Sequence, residues 1–287
     1  MDRVRFLQLP EVIAFTDWLS AQLPQRRIRL DIASSKFVPQ GLQADTTFAE
    51  LVPHCYRWRA AGMASGDWVE SSAKTQSLTQ ALRAAVQVGD TVATMQACSD
   101  ILLWGGERNK AQGARPFLMG LGQDICVYIA EADRQMSLAH GNLQSGFGAV
   151  QRMNSMLTKV HAFYSTEGLP IYDSRVSAAA AALVEFWRRA SRTRTLPEAL
   201  MFPLAGGSAK AAHKLDCLFD QPELPGRLDY AAVSTTARWA SAKLRLAWVM
   251  AETLRKTSAL FRDQPERMRA MEASLFMVGY DIRSLRV

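Results

Sequence analysis

The stretch "MNSMLTKVHAFYSTEGLPIYDSRVSAAAAALVEFWRR", residues 153–189, decides how the rest of the chain is read. "MNSMLTKVHAFYS" has the apolar spacing of a helix, "TEGLPIY" reads as a turn, and "SRVSAAAAALVEFWRRASR" is a helix of high alanine propensity. Lys159 falls near the start of the first helix and Asp173 immediately precedes the second, fourteen residues further on. The positive end of a helix dipole disfavours an ammonium, so Lys159 is expected to titrate low and to offer a free amine. Asp173 stands at an N-cap, where a carboxylate accepts backbone N–H bonds. A turn of this length lets the two helix starts share one cleft. A solvated lysine and an ordinary helix cap fit these residues as well as an amine nucleophile and its carboxylate partner do.

Outward from this segment most of the chain also reads as helix. "EVIAFTDWLSAQL" puts Val12, Phe15, Leu19 and Leu23 on one face. "RRIRLDIAS" alternates Ile28, Leu30 and Ile32 with polar residues, the pattern of a short strand or an extended linker. "KFVPQGLQADTT" is read as loop, with Pro39 and Gly41 as breakers. "TQSLTQALRAAVQVGDTVATMQACSDILLWG" predicts two helices around a Gly-Asp turn at 89–90, and "FLMGLGQDICVYIAEADRQM" a further apolar helix. Between them, "WGGERNKAQGARP" (104–116) is a glycine-containing loop whose "WGG" would let backbone approach a ligand closely. "AAVSTTARWASAKLRLAWVMAETLRKTSALF" predicts one more long helix. The expected fold class is therefore mostly α, with a short strand element allowed near the N-terminus. The chain divides into an N-terminal helical lobe, 1–100, and a catalytic region with basic C-terminal helices, 101–287, or forms one continuous domain.

Composition narrows the function classes. Hydrophobic residues are 48% and charged residues 21% of 287, which suits a globular chain with a large core. No apolar run is long enough to span a bilayer and the N-terminus does not read as a signal peptide, so no membrane association and a cytoplasmic location are expected. Cys55, Cys98, Cys126 and Cys217 are scattered, as are His54, His140, His161 and His213, so no metal site is expected. "GLGQDI" and "GGERNKAQG" match neither a dinucleotide fingerprint nor a phosphate loop, which argues against a nucleotide cofactor. The Glu131/Asp133 pair reads as surface charge. Residues 1–173 hold 16 Lys/Arg and 16 Asp/Glu, whereas 174–287 hold 18 and 11, so the whole excess of +7 lies after Asp173. A one-sided basic surface suits a polyanion.

The segment "TKVHAFYSTEGLPIYDSRVSAAAA" resembles the catalytic segment of the helix-hairpin-helix DNA glycosylases, most of all the branch with the 8-oxoguanine glycosylase fold. That family pairs "xKVAxxxx" at a helix start with "P-[VI]-x-D-x-x-V" opening the next helix. Lys159-Val160 corresponds to the first and Pro170-Ile171-Tyr172-Asp173-Ser174-Arg175-Val176 to the second. The likeness is tightest over 154–176 and extends loosely over 100–190. Where the family's hairpin usually reads "LPGVGxK", this chain has "RMNSMLTK" without a glycine. The absence of a C-terminal cysteine cluster fits the 8-oxoguanine-type branch.

The resemblance implies a helix-hairpin-helix glycosylase-like fold that binds double-stranded DNA, flips out a damaged or modified base and cleaves its N-glycosidic bond without a cofactor. Asp173 would stabilise positive charge developing on the sugar, and Lys159 would attack the anomeric carbon, opening the way to strand cleavage by β-elimination. Trp104, Tyr164 and Tyr172 are the expected base-pocket residues. Arg152, Asn154, Ser155 and Thr158 would replace the hairpin glycines as DNA contacts, joined by Arg175, Arg188, Arg189 and Arg192, with Arg194, Arg238, Lys243 and Arg245 as further phosphate ligands. The altered hairpin leaves two alternatives. One is a glycosylase acting on hypermodified bacteriophage DNA, such as glucosylated hydroxymethylcytosine, in antiviral defence. The other is a non-enzymatic helical DNA-binding protein.

Overall fold

The structure is a computed structural model describing residues 1–107, 113–206, 211–229 and 233–286. Residues 108–112 of the expected glycine loop and the first residues of the expected final helix lie outside the described residues. Helix α1 (Arg3–Leu7) starts under the Asp2 carboxylate, which accepts from the Arg5 amide. Helix α2 (Pro10–Gln22) has its proline in the first turn, where a missing N–H costs nothing. It buries Val12, Phe15 and Leu19, the face read from the sequence.

The alternating segment is strand β1 (Arg27–Ile32), with every second residue buried. Its partner, β2 (Leu42–Thr47), comes from the stretch read as loop; the two run antiparallel, Ile32 opposite Leu42 and Arg27 opposite Thr47. An extended segment with a buried face needs a partner for its backbone groups, and Gly41 (φ +67) sets the return strand on its way. Weak apolar alternation hid β2, because its pairing and not its pattern makes it a strand.

Helices α3 (Leu51–Cys55), α4 (Trp68–Gln87) and α5 (Thr91–Trp104) follow. Asp67 and Asp90 cap α4 and α5, and Gly89 (φ +72) makes the expected turn between them. The apolar helix expected next is two, α6 (Ala114–Leu121) and α7 (Ile125–Gln135), because Gly122 (φ +53) breaks it. Helices α8 (Leu157–Tyr164) and α9 (Ser174–Ala190) carry the segment that opened the argument. A two-residue parallel pair, β3 (Leu204–Ala205) with β4 (Arg227–Leu228), precedes α10 (Thr236–Lys256) and α11 (Arg267–Val278).

One contiguous apolar core runs from Phe6 to Leu285, and residue 100 falls inside α5. Helix α9 is its axle: every residue from Val176 to Glu185 is buried. The small side chains of the alanine run let α2, α11 and β3 pack around α9 together. Gly279 is needed there too, because a Cβ on it would lie 2.1 Å from the Arg175 carbonyl oxygen. The fold is mostly α. No helix among the described residues is long and apolar enough to cross a membrane.

Candidate active site

Helix α8 begins at Leu157, four residues later than the apolar spacing suggested. The Asn154 carboxamide oxygen accepts the Met156 and Leu157 amides at 2.9 and 2.8 Å, so Asn154 stands outside the helix and caps it. Lys159 is thereby placed in the first turn. Its Nζ turns back to donate to the Ser155 carbonyl at 2.8 Å. Asp173 caps α9, its Oδ1 accepting the Arg175 and Val176 amides at 3.0 and 3.1 Å. The other oxygen, Oδ2, faces Lys159 Nζ at 3.6 Å. That is an ion-pair distance but longer than a good hydrogen bond. Both residues are buried, Lys159 at 4% and Asp173 at 7% exposure, so the solvated-lysine reading does not hold.

The two helix starts are fastened one residue upstream of the pair. Thr158 Oγ1 accepts the Tyr172 amide at 3.0 Å. Lys243 of α10 donates to both the carbonyl and the hydroxyl oxygen of Thr158, at 2.7 and 3.0 Å. Trp239, also on α10, donates its indole N–H to the Tyr172 carbonyl at 3.0 Å. Each polar group of this clamp has a partner, which a water-poor interior demands.

Burial holds the Lys159 amine below its ordinary pKa. Asp173 and Glu272 pull the other way, and the Arg175 cation adds to the lowering. Glu272, buried on α11, is pushed above the usual carboxylate range by burial, although Arg269 bonded to it opposes the shift. Lys243 is driven well below the ordinary lysine value, first by burial and then by Arg269. The site is therefore a nearly dry cluster in which two amines are biased toward the neutral, nucleophilic form.

The turn at the end of α5 forms one wall. A Cβ on Gly105 would lie 2.7 Å from Lys159 Cδ, so the glycine lets backbone lie directly against the lysine stem. What lies against the glycine of "WGG" is a side chain of the protein itself. The Trp104 carbonyl accepts the Trp58 indole N–H at 3.1 Å. Trp104 is buried, and its own N–H has no partner among the described residues. On the Asp173 side, the Arg175 guanidinium lies 3.6 Å from the Tyr280 ring centroid, 4.6 Å from Phe276 and 5.4 Å from Trp58.

The remaining expected site residues disperse. Tyr172 is fully buried, its hydroxyl donating to the Pro203 carbonyl at 2.8 Å. Tyr164 sits at the far end of α8, where its carbonyl accepts from Arg83. Thr158 and Lys243, expected as phosphate contacts, are fully buried and bonded to each other, so neither reaches a surface. Arg188 and Arg189 both pair with buried Glu185 and also donate to loop carbonyls, Arg188 to Thr193 and Arg194 and Arg189 to Asp220. Arg245 donates to the Glu198 carbonyl at 2.7 Å. Arg152 lies over the Phe117 ring, while Arg192, Arg194 and Arg238 are exposed. Asp133 is not simple surface charge: burial and then the neighbouring Glu167 carboxylate push it up to about 6. Trp58, Glu272 and Arg269 belong to the site without any local motif to announce them. Their apolar and charged neighbours read as ordinary core and surface.

No protein-family model matches the chain, and no curated protein or solved structure matches it.

Proposed function

We propose that the chain is a DNA glycosylase that excises a damaged or modified base, with Lys159 as nucleophile and Asp173 as its carboxylate partner. The observation that carries this is the buried pair itself, an amine 3.6 Å from an N-cap carboxylate where burial favours the uncharged amine. As the C1′–N bond of the flipped nucleotide breaks, its electron pair leaves with the base, and Asp173 faces the positive charge growing on the sugar. The Lys159 amine bonds to C1′ and loses a proton to the departing base, and sugar-ring opening then leaves a Schiff base. A dry site strengthens the carboxylate's effect and disfavours stray hydrolysis. The surplus of positive charge after Asp173, with Arg192, Arg194 and Arg238 exposed, suits a duplex DNA partner.

The test uses a duplex carrying 8-oxoguanine, and phage genomic DNA with glucosylated hydroxymethylcytosine. Each is incubated with wild type, Asp173→Asn and Lys159→Gln while abasic sites and free base are scored. Release lost in Asp173→Asn supports the proposal, and the responding DNA names the substrate class. Borohydride trapping of wild type but not of Lys159→Gln adds the lyase step. Binding of both DNAs with release from neither would favour a non-enzymatic DNA-binding protein.

A further inference from the structure

We propose that Trp58 is the platform on which the extruded base stacks, and that Phe37 holds the base's place in the free protein. This rests on the glycosylase reading and adds to it the slot into which the base goes.

Trp58 touches a near neighbour in the chain of each member of the catalytic pair. Its indole N–H bonds the Trp104 carbonyl, one residue before the Gly105 backbone that touches Lys159. Its ring also meets the Arg175 cation, two residues beyond Asp173. A flat group lying on this ring therefore lies beside the chain segments that carry both catalytic residues. In the free protein that flat group is Phe37, whose ring centroid is 3.8 Å from that of Trp58 with only 13° between the planes. Phenylalanine and tryptophan pairs prefer offset or edge-on contacts at about 4.5–7 Å, as Trp58 itself shows with Phe276 at 5.3 Å and 87°. A close face-to-face sandwich is instead the arrangement in which proteins hold nucleobases.

Phe37 is also placed to leave. It sits on the connection between β1 and β2 rather than inside an element, with its carbonyl accepting the Arg59 amide at 2.8 Å. A cleft of about 250 Å³, lined by Phe37, Pro39, Gln40, Arg59, Ser65 and others, opens beside it. The tip of the ring rests on Gly106, where a Cβ would lie 2.4 Å from Phe37 Cζ. Withdrawing the ring frees the space along the Gly105–Gly106 backbone that leads to Lys159. Something must move for a sugar to reach this pair, because both members are buried. The N–H of buried Trp104, unpartnered among the described residues and on a ring 6.3 Å from that of Trp58, is a second sign of a missing partner. It would serve an acceptor on the edge of the base.

The experiment labels position 37 with 4-fluorophenylalanine in Asp173→Asn protein and follows its fluorine resonance. The probes are the 8-oxoguanine duplex, the glucosylated phage DNA and an unmodified duplex. Whichever DNA the wild type cleaves should move the resonance away from its ring-stacked position toward that of the urea-unfolded chain, and the unmodified duplex should not. Base release by wild type with an unmoved resonance overturns the exchange of Phe37 for the base and leaves the glycosylase reading standing. Release from neither DNA overturns both. In single-turnover release, Trp58→Phe, which keeps a flat face, should retain more activity than Trp58→Leu; equal losses in two folded variants would remove Trp58 as the platform.

Discussion

The Thr158 hydroxyl accepts the backbone N–H of Tyr172 at 3.0 Å, tying together the residues that directly precede Lys159 and Asp173. The geometry of the proposed catalytic pair is thus set by backbone one residue away, and Lys243 locks the same hydroxyl from α10. Thr158→Val keeps the shape and removes this acceptor. It should cost about 1–3 kcal/mol of stability, because a buried N–H is left unbonded. It should also slow single-turnover base release in protein that remains folded by circular dichroism.

Gly105→Ala tests the wall against the lysine. The backbone at Gly105 is helical, so alanine is tolerated there, but its methyl would press on Lys159 Cδ at 2.7 Å. The lysine stem must shift. Near-normal thermal stability with release reduced on the order of tenfold to a hundredfold is expected, since misplacement by about 1 Å has effects of that size. Unchanged release would show that Lys159 tolerates displacement and does not act as the nucleophile.

The pH dependence of Schiff-base trapping follows from the buried amine. Burial lowers the Lys159 pKa from 10.5, so its neutral form appears at lower pH than for a solvated lysine. Trapping yield should therefore rise with pH along a limb whose midpoint lies below 10.5. A limb at the ordinary lysine value would contradict an amine held out of water.

Asp133 gives a stability test apart from the chemistry. Its folded pKa is raised to about 6 from 3.8, so the folded state keeps a proton that the unfolded chain has already released. The contribution is favourable below pH 3.8 and is lost as pH rises through 6. Asp133→Asn should accordingly raise the melting temperature at pH 7.5, with a gain of up to about 3 kcal/mol in stability that is gone at pH 4. Thermal unfolding at the two pH values checks the sign.

The arginines of the α9 end separate by partner. Arg192 is exposed, and Arg192→Ala should reduce the slope of log binding constant against log salt by about 1. Arg188 is bonded to buried Glu185, and Arg188→Ala should instead lower stability by about 1.5–3 kcal/mol, because the carboxylate loses one of its two arginines while Arg189 remains. Salt titrations of DNA binding and denaturant melts of the two variants distinguish the roles.

Local sequence determined a good deal of this protein. The three- and four-residue apolar spacing of α2, the period-two burial of β1 and the caps at Asp67, Asp90 and Asp173 depend on residues within a turn or two of each other. Such signals survive in a linear reading. So did Lys159 and Asp173, each of which sits at a helix start that its own neighbours create. Tertiary structure decided what surrounds them. Strand β2 exists because β1 needs a partner, and Thr158 and Lys243 turned from candidate phosphate ligands into a buried clamp because Lys243 of α10 reaches Thr158 at the start of α8. Trp58, Glu272 and Arg269 reach the site from α11 and from the loop before α4, far along the chain, so no spacing rule connects them with Lys159. Burial has the same origin. A lysine's pKa depends on the atoms that exclude water from it, and here those atoms come from α5, α9 and α11 as well as from its own helix.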